Sequence, residues 1–437
     1  MSPFAVTLIL FVGLMIGLAS GLPIVFVLGS LSVIFSFLLW GPMSLTVIAS
    51  KTFDTSTSFV LVAVPMFILM ANILERSGVA DDLYDAMYKW MGPLRGGLAI
   101  GTVLICTVFA AMSGLSAPAV ITVGLISIPR MLERGYDKRI AIGSIAAGGA
   151  LGALIPPSVM MILVALFTNL SIGKMFIGGI FPGLLLSGLF CFYIGIRSFL
   201  QPQIAPALPK EERASWGEKI TALKSLVLPV FIIIMVLGTI FTGITTPSEA
   251  SAMGAIGAII SAAVYRKLQW PMLKVSIINT AKITGMALWL VFVAGAFSQV
   301  YSSVGGPRLI EQLVTAMPGG AWGAVIFVQA VLLVLGCFLE PTSIIMITVP
   351  VFFPAIVNLG FDPLWFAIVY VVNMEMSYIT PPFGFNLFYL KSILPESVSM
   401  NDVYRSVTPF VLLDILGLAI VMIFPQIAIW LPNVLIK

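Results

Sequence analysis

The chain has 437 residues, 60% of them hydrophobic and 9% charged, with 22 Lys and Arg against 18 Asp and Glu and a formal net charge of +4. A soluble domain carries about 25% charged residues to keep its surface wet, so this composition excludes a water-soluble enzyme or binding module and makes lipid the solvent. Backbone polar groups in hydrocarbon must be paired within their own segment, which leaves helices or closed barrels. The apolar runs are about 18 to 30 residues long, where barrel strands need about 10, so helices are expected.

The first run, Phe4 to Ala19, has no basic leader and no small-residue cleavage site, and reads as a retained span. Further spans are expected near 23–40, 59–75, 140–168 and 175–197. Between the third and fourth lies 98–129, apolar but interrupted by Ser113-Gly114-Leu115-Ser116-Ala117-Pro118. Two half-length helices around a polar break predict a re-entrant hairpin, since irregular backbone at membrane depth needs protein or a water-filled cavity to receive it. The stretch 198–224, with Pro202, Pro206, Pro209 and a charged cluster, is the longest polar connection and the expected linker. Beyond it the plan returns, with spans near 225–243, 248–265, 283–303, 364–390 and 408–434. Its broken segment, 321–357, is interrupted at Glu340-Pro341-Thr342-Ser343.

The two halves repeat one another in proline. Pro23 and Pro247 differ by 224, Pro93 and Pro318 by 225, Pro118 and Pro341 by 223, and Pro129 and Pro354 by 225. Gly135-Tyr136-Asp137 and Gly360-Phe361-Asp362 keep the displacement of 225, as do Pro156-Pro157 and Pro381-Pro382. Five spans plus a hairpin that returns to its own side make an odd number of crossings, so the copies must be inverted. The expected fold is an all-α polytopic membrane protein of two inverted repeats, each about five transmembrane helices plus one re-entrant hairpin. Residues 1–200 form the first inverted repeat, 201–224 a cytoplasmic linker and 225–437 the second repeat. Of the 22 basic residues, only Lys51, Lys174, Arg308 and Lys437 fall on one side of this arrangement. The crowded side is therefore cytoplasmic, hairpin 98–129 enters from it, hairpin 321–357 enters from the periplasm, and both termini are periplasmic.

Secondary transporters hold substrate and coupling ions near mid-membrane on broken helices, whose half-helix N-termini suit anions and whose freed carbonyls suit Na+. Four breaks qualify. In the first copy they offer Ser113, Gly114, Ser116 and Pro118, then Gly152, Pro156, Pro157 and Ser158. Paired prolines remove two amide donors and strip partners from carbonyls one turn earlier, near Gly152. In the second copy they offer Glu340, Pro341, Thr342 and Ser343, then Thr380, Pro381, Pro382 and Asn386. An ionised Glu340 at mid-membrane needs a partner, and a bound cation is one candidate. Glu375 and Glu249 come next, Glu249 as a helix-start acid complementing the dipole, and Asp414 lies inside the last span within reach of the interface. The chain has no histidine, so a metal other than Na+ is not expected and any proton coupling must use carboxylates. No phosphate-binding glycine loop with its lysine is present, so ATP hydrolysis is not expected. The three cysteines, Cys106, Cys191 and Cys337, read as buried thiols.

At these motifs the sequence resembles the large membrane subunit of tripartite ATP-independent periplasmic (TRAP) transporters. The likeness runs through Gly21-Leu22-Pro23, Val64-Pro65-Met66-Phe67, Met112-Ser113-Gly114, Leu154-Ile155-Pro156-Pro157-Ser158, Ser171-Ile172-Gly173-Lys174, Gly243-Ile244-Thr245-Thr246-Pro247-Ser248-Glu249-Ala250 and Ile379-Thr380-Pro381-Pro382. The resemblance implies a small four-helix membrane partner, a periplasmic binding protein delivering an organic acid, and Na+-driven uptake across the bacterial inner membrane by an elevator motion. It implies no cofactor and no enzymatic activity, with Na+ held at the hairpin tips and helix breaks. Leu115 and Ala117 replace a more serine-rich run, and the stretch from Pro382 to Lys391 looks closer to branches that handle keto acids, aromatic acids or other bulkier anions. A stand-alone Na+/carboxylate symporter and a cation/proton antiporter are the alternatives.

Overall fold

The computed structural model describes residues 3–315 and 317–436, and among them there is helix and turn but no strand. Lys437, counted above with the sparse side, and the first two residues lie outside the described residues. The first half runs α1 (Pro3–Ala19), α2 (Ile24–Trp40), α3 (Leu45–Ser56), α4 (Ala63–Arg76), α5 (Val79–Met91), α6 (Gly97–Ser113), α7 (Ser116–Glu133), α8 (Lys138–Ala150), α9 (Val159–Thr168) and α10 (Ile172–Leu200). The linker carries a short α11 (Trp216–Ala222). The second half follows with α12 (Val227–Ile233), α13 (Thr239–Phe241), α14 (Pro247–Val264), α15 (Trp270–Ser303), α16 (Gly306–Thr315), α17 (Gly320–Gly336), α18 (Pro341–Asn358), α19 (Pro363–Ser377), α20 (Phe385–Ile393), α21 (Met400–Ile423) and α22 (Gln426–Leu435).

Among the described residues, seven helical stretches are long and apolar enough to cross a bilayer. The spans expected at 140–168, 364–390 and 408–434 each divide in two. Four helices were not anticipated: α3, α5, α11 and α16. In α5, Val79, Ala80, Leu83, Tyr84 and Ala86 are buried on one face, and Asp81 and Asp82 sit in its positive first turn. Such a helix is too polar for a hydropathy window but stable once one side is covered.

One difference between the copies has a local cause. The span expected at 283–303 begins at Trp270 and runs unbroken for 34 residues, about 51 Å. At the displacement of the repeat it corresponds to α3 and α4 together, which the first copy separates around Thr57 and Ser58. There the hydroxyls of Thr55, Ser56 and Thr57 bond back to the carbonyls of Lys51 and Phe53, offering the backbone an alternative to the helix. The matching stretch of α15 reads Thr280-Ala281-Lys282-Ile283 and carries no such run of hydroxyls.

These arms join the halves. α4 packs along α14 and α15, and α2 along α15. Asn72 donates to the Thr280 hydroxyl at 3.3 Å, Ser276 to the Asn72 carbonyl at 3.3 Å, and Ser248 to the Phe59 carbonyl at 2.9 Å. α14 opens with Thr246 and Glu249 closed into a capping box, the helix-start role expected of Glu249. The hairpins α6–α7 and α17–α18 and the divided helices α8–α9 and α19–α20 pack together as a second group, with α10 and α21 beside them.

Candidate functional site

Each break has a distinct backbone. The first hairpin turns through Gly114 at φ +66 and Leu115 in an extended conformation. A methyl group on Gly114 would lie 2.2 Å from the Pro157 carbonyl oxygen, and one on Gly152 would lie 2.6 Å from the Leu115 carbonyl oxygen. Glycine at these two positions therefore lets the hairpin tip lie directly on the divided helix. The Val159 amide donates to the Gly114 carbonyl at 3.3 Å, and the Ser113 hydroxyl to the Leu115 carbonyl at 3.3 Å. Between α8 and α9 the chain passes one 3-10 turn, Leu151–Ala153, and the Pro156-Pro157 pair, whose peptide bond is cis. The matching Pro381-Pro382 bond between α19 and α20 is also cis.

The two copies meet crosswise. α7 of the first hairpin packs on α20, the second part of the other copy's divided helix, and α18 of the second hairpin packs on α9 in the same way. At the first crossing the buried Ser116 hydroxyl donates to the Asn386 side-chain oxygen at 2.7 Å, and Asn386 donates to the Ala146 carbonyl at 3.2 Å. At the second, the Thr342 hydroxyl lies 3.9 Å from the Met160 sulfur. The Phe383 amide also reaches the Cys337 carbonyl at 3.3 Å, so the second hairpin touches the break of its own copy.

The crossings differ at the helix N-termini. α9 is capped by the Ser158 hydroxyl and α18 by the Glu340 carboxylate. Glu340 accepts from the Thr342 hydroxyl and from the Ser343 amide at 3.1 Å, so its partners are the donors of its own helix start. It is half-buried. α7 begins after Leu115 and α20 after Gly384, and neither has a side-chain cap. At the start of α20 the Asn386 and Leu387 amides already donate to the Tyr378 and Gly384 carbonyls at 3.0 and 2.9 Å, so it is α7 whose uncapped N-terminal amides favour an anion.

The candidates separate by environment. Ser113, Gly114, Ser116, Gly152, Pro156, Pro157, Ser158, Pro341, Ser343, Thr380 and Asn386 are buried; Pro118, Thr342 and Pro381 are half-buried, and Pro382 is exposed. The Thr380 hydroxyl turns back to the Met376 carbonyl at 2.8 Å. Among the described residues no set of three or more His, Cys, Asp or Glu side chains is placed to hold a metal. The oxygen donors at the breaks are hydroxyls, amides and carbonyls, a hard set that fits an alkali or other hard cation and no soft metal.

Residues 11–427 match the family model described as tripartite ATP-independent periplasmic transporter, DctM component. The chain belongs to this family. The C4-dicarboxylate TRAP transporter large permease protein DctM of Pseudomonas aeruginosa is 35% identical over 399 residues, covering 91% of the chain and 92% of the relative. Its namesake from Vibrio cholerae is 34% identical, covering 99% and 98%. The ectoine TRAP transporter large permease protein TeaC of Halomonas elongata is 32% identical, covering 96% and 97%. Among solved structures, the YdaH transporter of Alcanivorax borkumensis, whose crystal structure is described as having an unusual topology, matches with a TM-score of 0.62 over 98% of each chain. At 15% identity that likeness concerns the fold alone.

Within this family member the structure also corrects two readings. Asp414 does not approach the interface: it is fully buried and its carboxyl meets that of Glu375, also fully buried, with no other hydrogen-bond partner for either. α8 explains the depth, because it runs beside α21 from the Lys138–Asp402 ion pair past the close approach of Gly143 to Phe410. Cys191 and Cys337 are half-buried, and only Cys106 is fully enclosed; all three are free thiols. Sequence reasoning also missed Met160, which nothing in its apolar surroundings distinguishes, and Tyr404, whose hydroxyl donates to the Pro382 carbonyl at 2.9 Å. It missed the buried pair Gln329 and Asn373 as well, joined at 2.8 Å. Two amides inside apolar spans were the available signal for that pair.

Proposed function

We infer that this chain is the large permease subunit of a Na+-coupled, binding-protein-dependent importer that moves an organic acid anion across the bacterial inner membrane by an elevator motion. The observation that carries this is the crosswise seating of each hairpin on the other copy's divided helix. Such seating gathers both hairpins and both breaks into one group, while α1–α4, α14 and α15 form another. A group carrying its own sites past a fixed frame is the motion an elevator needs, and inversion of the copies supplies its two end states.

In this reading the anion lies at the crossing of α7 and α20, against the uncapped start of α7 and the Ser116–Asn386 bond. Na+ is assigned to the tips and breaks through Ser113, Gly114, Gly152 and Ser158 in one copy and Glu340, Thr342, Ser343 and Thr380 in the other. Relatives named for C4-dicarboxylates, and the 2,3-diketo-L-gulonate permease YiaN of Escherichia coli at 28% identity, support a carboxylate cargo. The isethionate TRAP transporter permease protein DctMQ of Oleidesulfovibrio alaskensis supports a small membrane partner, since the chain matches 64% of its length. A periplasmic binding protein follows from the family's tripartite description.

The decisive measurement is uptake of labelled succinate, then of a keto acid, into proteoliposomes holding both membrane subunits, with purified binding protein outside. Uptake is expected only with an inward Na+ gradient and with binding protein present. It should also accelerate under an inside-negative potential, because each net charge gains about 2.3 kcal/mol per 100 mV. Full uptake without binding protein would indicate a stand-alone symporter. Ion flux driven by pH with no organic solute would indicate an antiporter.

A further inference from the structure

Two carboxyl groups remain that the transport reading does not use. Glu375 on α19 and Asp414 on α21 are fully buried, their carboxyls meet, and neither has another hydrogen-bond partner. Their surroundings are apolar. One turn away on α19 lie Val371, Val372 and Ile379, all fully buried. One turn away on α21 are Phe410, packed edge-on against Phe190 at 5.6 Å, and Gly417, where a methyl group would lie 2.2 Å from Leu186. Positions 410, 414 and 417 share one helix face, so α10 covers the side of α21 that carries Asp414.

No basic group reaches the pair, and the only charge acting on Glu375 is that of Asp414. Of the helices packed on α19 and α21, α9, α17, α18 and α22 carry no ionisable side chain. On the others, Lys138 pairs with Asp402, Arg197 donates to the Tyr193 hydroxyl, and Lys391 donates to the Val398 carbonyl. Arg139, Lys174 and Arg405 stand near the starts of α8, α10 and α21. Among neutral groups, Cys191 turns to Ser187, Tyr370 meets Thr348, Tyr389 lies toward Glu340, and Tyr404 donates to the Pro382 carbonyl.

Four buried carboxyl oxygens without a donor are a deficit that only a cation or protons can fill. A hard cation takes six or more oxygens, and no hydroxyl or amide side chain joins these four. One proton would link the two acids but leave a buried charge. A second removes the charge and lets each acid donate one hydrogen bond to the other. We propose that Glu375 and Asp414 form a proton-binding site that holds two protons as a neutral acid pair and clamps α19 to α21. The clamp lies one turn before the break, where the Glu375 carbonyl accepts from the Tyr378 amide at 3.1 Å. It therefore fixes the divided helix at the point where the chain leaves it for the Pro381-Pro382 turn.

The test is infrared spectroscopy of the full purified chain at neutral pH, with the side-chain carboxyls of aspartate isotopically labelled. Asp414 is the one fully buried aspartate among the described residues, so a protonated-acid band moved by the label belongs to it. That band is expected in the wild type and should be lost in D414N. A second band, moved by labelled glutamate, should be lost in E375Q. Ionised absorption alone, or an acid band from only one of the two residues, overturns the proposal in the wild type without needing any variant to fold. Loss of either band on adding Na+ makes the pair a metal-cation site and equally overturns it. E375A should lower the melting temperature by a few degrees. E375Q/D414N, whose amides exchange the same two hydrogen bonds without charge, should restore it, and a double variant as unstable as E375A overturns the clamp. None of these readings depends on uptake, so the outcome stands apart from the transport assignment.

Discussion

The tips of the two hairpins occupy matching places in the repeat, yet they are built in opposite ways. The first turns on glycine and leaves the start of α7 without a side-chain cap, its Ser116 spent on Asn386 of the other copy. The second turns through Cys337 and Leu339 with ordinary backbone and supplies its own anion, Glu340, to the start of α18. Their far ends differ as well. α7 is tied down by Arg130 to Asp85 at 2.7 Å and by a two-pronged pair of Arg134 with Glu212 in the linker, whereas α18 has an amide contact from Asn358 to Glu311 at 3.4 Å. The same backbone plan thus carries a glycine-turned tip anchored by charge in one copy and a tip capped by its own carboxylate in the other.

Four substitutions probe that contrast. Gly114→Ala should have the largest effect, since it combines a left-handed φ with a 2.2 Å approach to the Pro157 carbonyl; a loss of at least about 3 kcal/mol is expected. Cys337→Ala, at the corresponding place in the second tip, should cost under about 1 kcal/mol. Comparable unfolding midpoints for the two variants would erase the difference between the tips. Asn386→Ala leaves the Ser116 hydroxyl and the Ala146 carbonyl without their partner and should cost about 1 to 3 kcal/mol together with most uptake. A double-mutant cycle with Ser116→Ala checks that the two act through one bond, and purely additive effects would break the crossing.

Glu340→Ala should cost about 1 kcal/mol as a lost cap and also raise the Na+ concentration needed for half-maximal uptake. Ser113→Ala should shift the same Na+ dependence with a stability change under about 0.5 kcal/mol. If neither variant moves the sodium titration, Glu340 is a cap only and Ser113 is structural. The smallest effect belongs to Glu212, whose carboxyl the Arg134 hydrogen bond holds below its ordinary value. A depressed folded pKa adds stability above the unfolded value of about 4.3 that disappears as pH falls through the folded one. Wild type should therefore lose slightly more than Glu212→Gln between about pH 5 and pH 3 in melting scans at low salt, and identical acid profiles would remove the linker from the anchoring of α7.

Much of this architecture was legible in one sequence because its signals are local. Prolines, glycine turns and capping residues act within a few positions of themselves, so their spacing revealed the repeat, both hairpins, the divided helices and the Thr246–Glu249 cap. The amphipathic α3, α5 and α16 were not legible, since a helix with one polar side resembles a loop until its other side is covered. Nor was the start of α15 at Trp270, where Lys274 and Lys282 dilute an apolar run that packing against α2, α3 and α4 sustains.

What only the tertiary structure decided is which partners meet across long separations. Ser116 and Asn386 are 270 residues apart, and no local rule pairs them. Asp414 could as well have faced water; the alignment of α8 and α19 beside α21 enclosed it with Glu375. Local chemistry determined where the chain bends and which ends it caps. Packing determined which bends lie together, because burial depends on surfaces contributed by helices that the sequence keeps far apart.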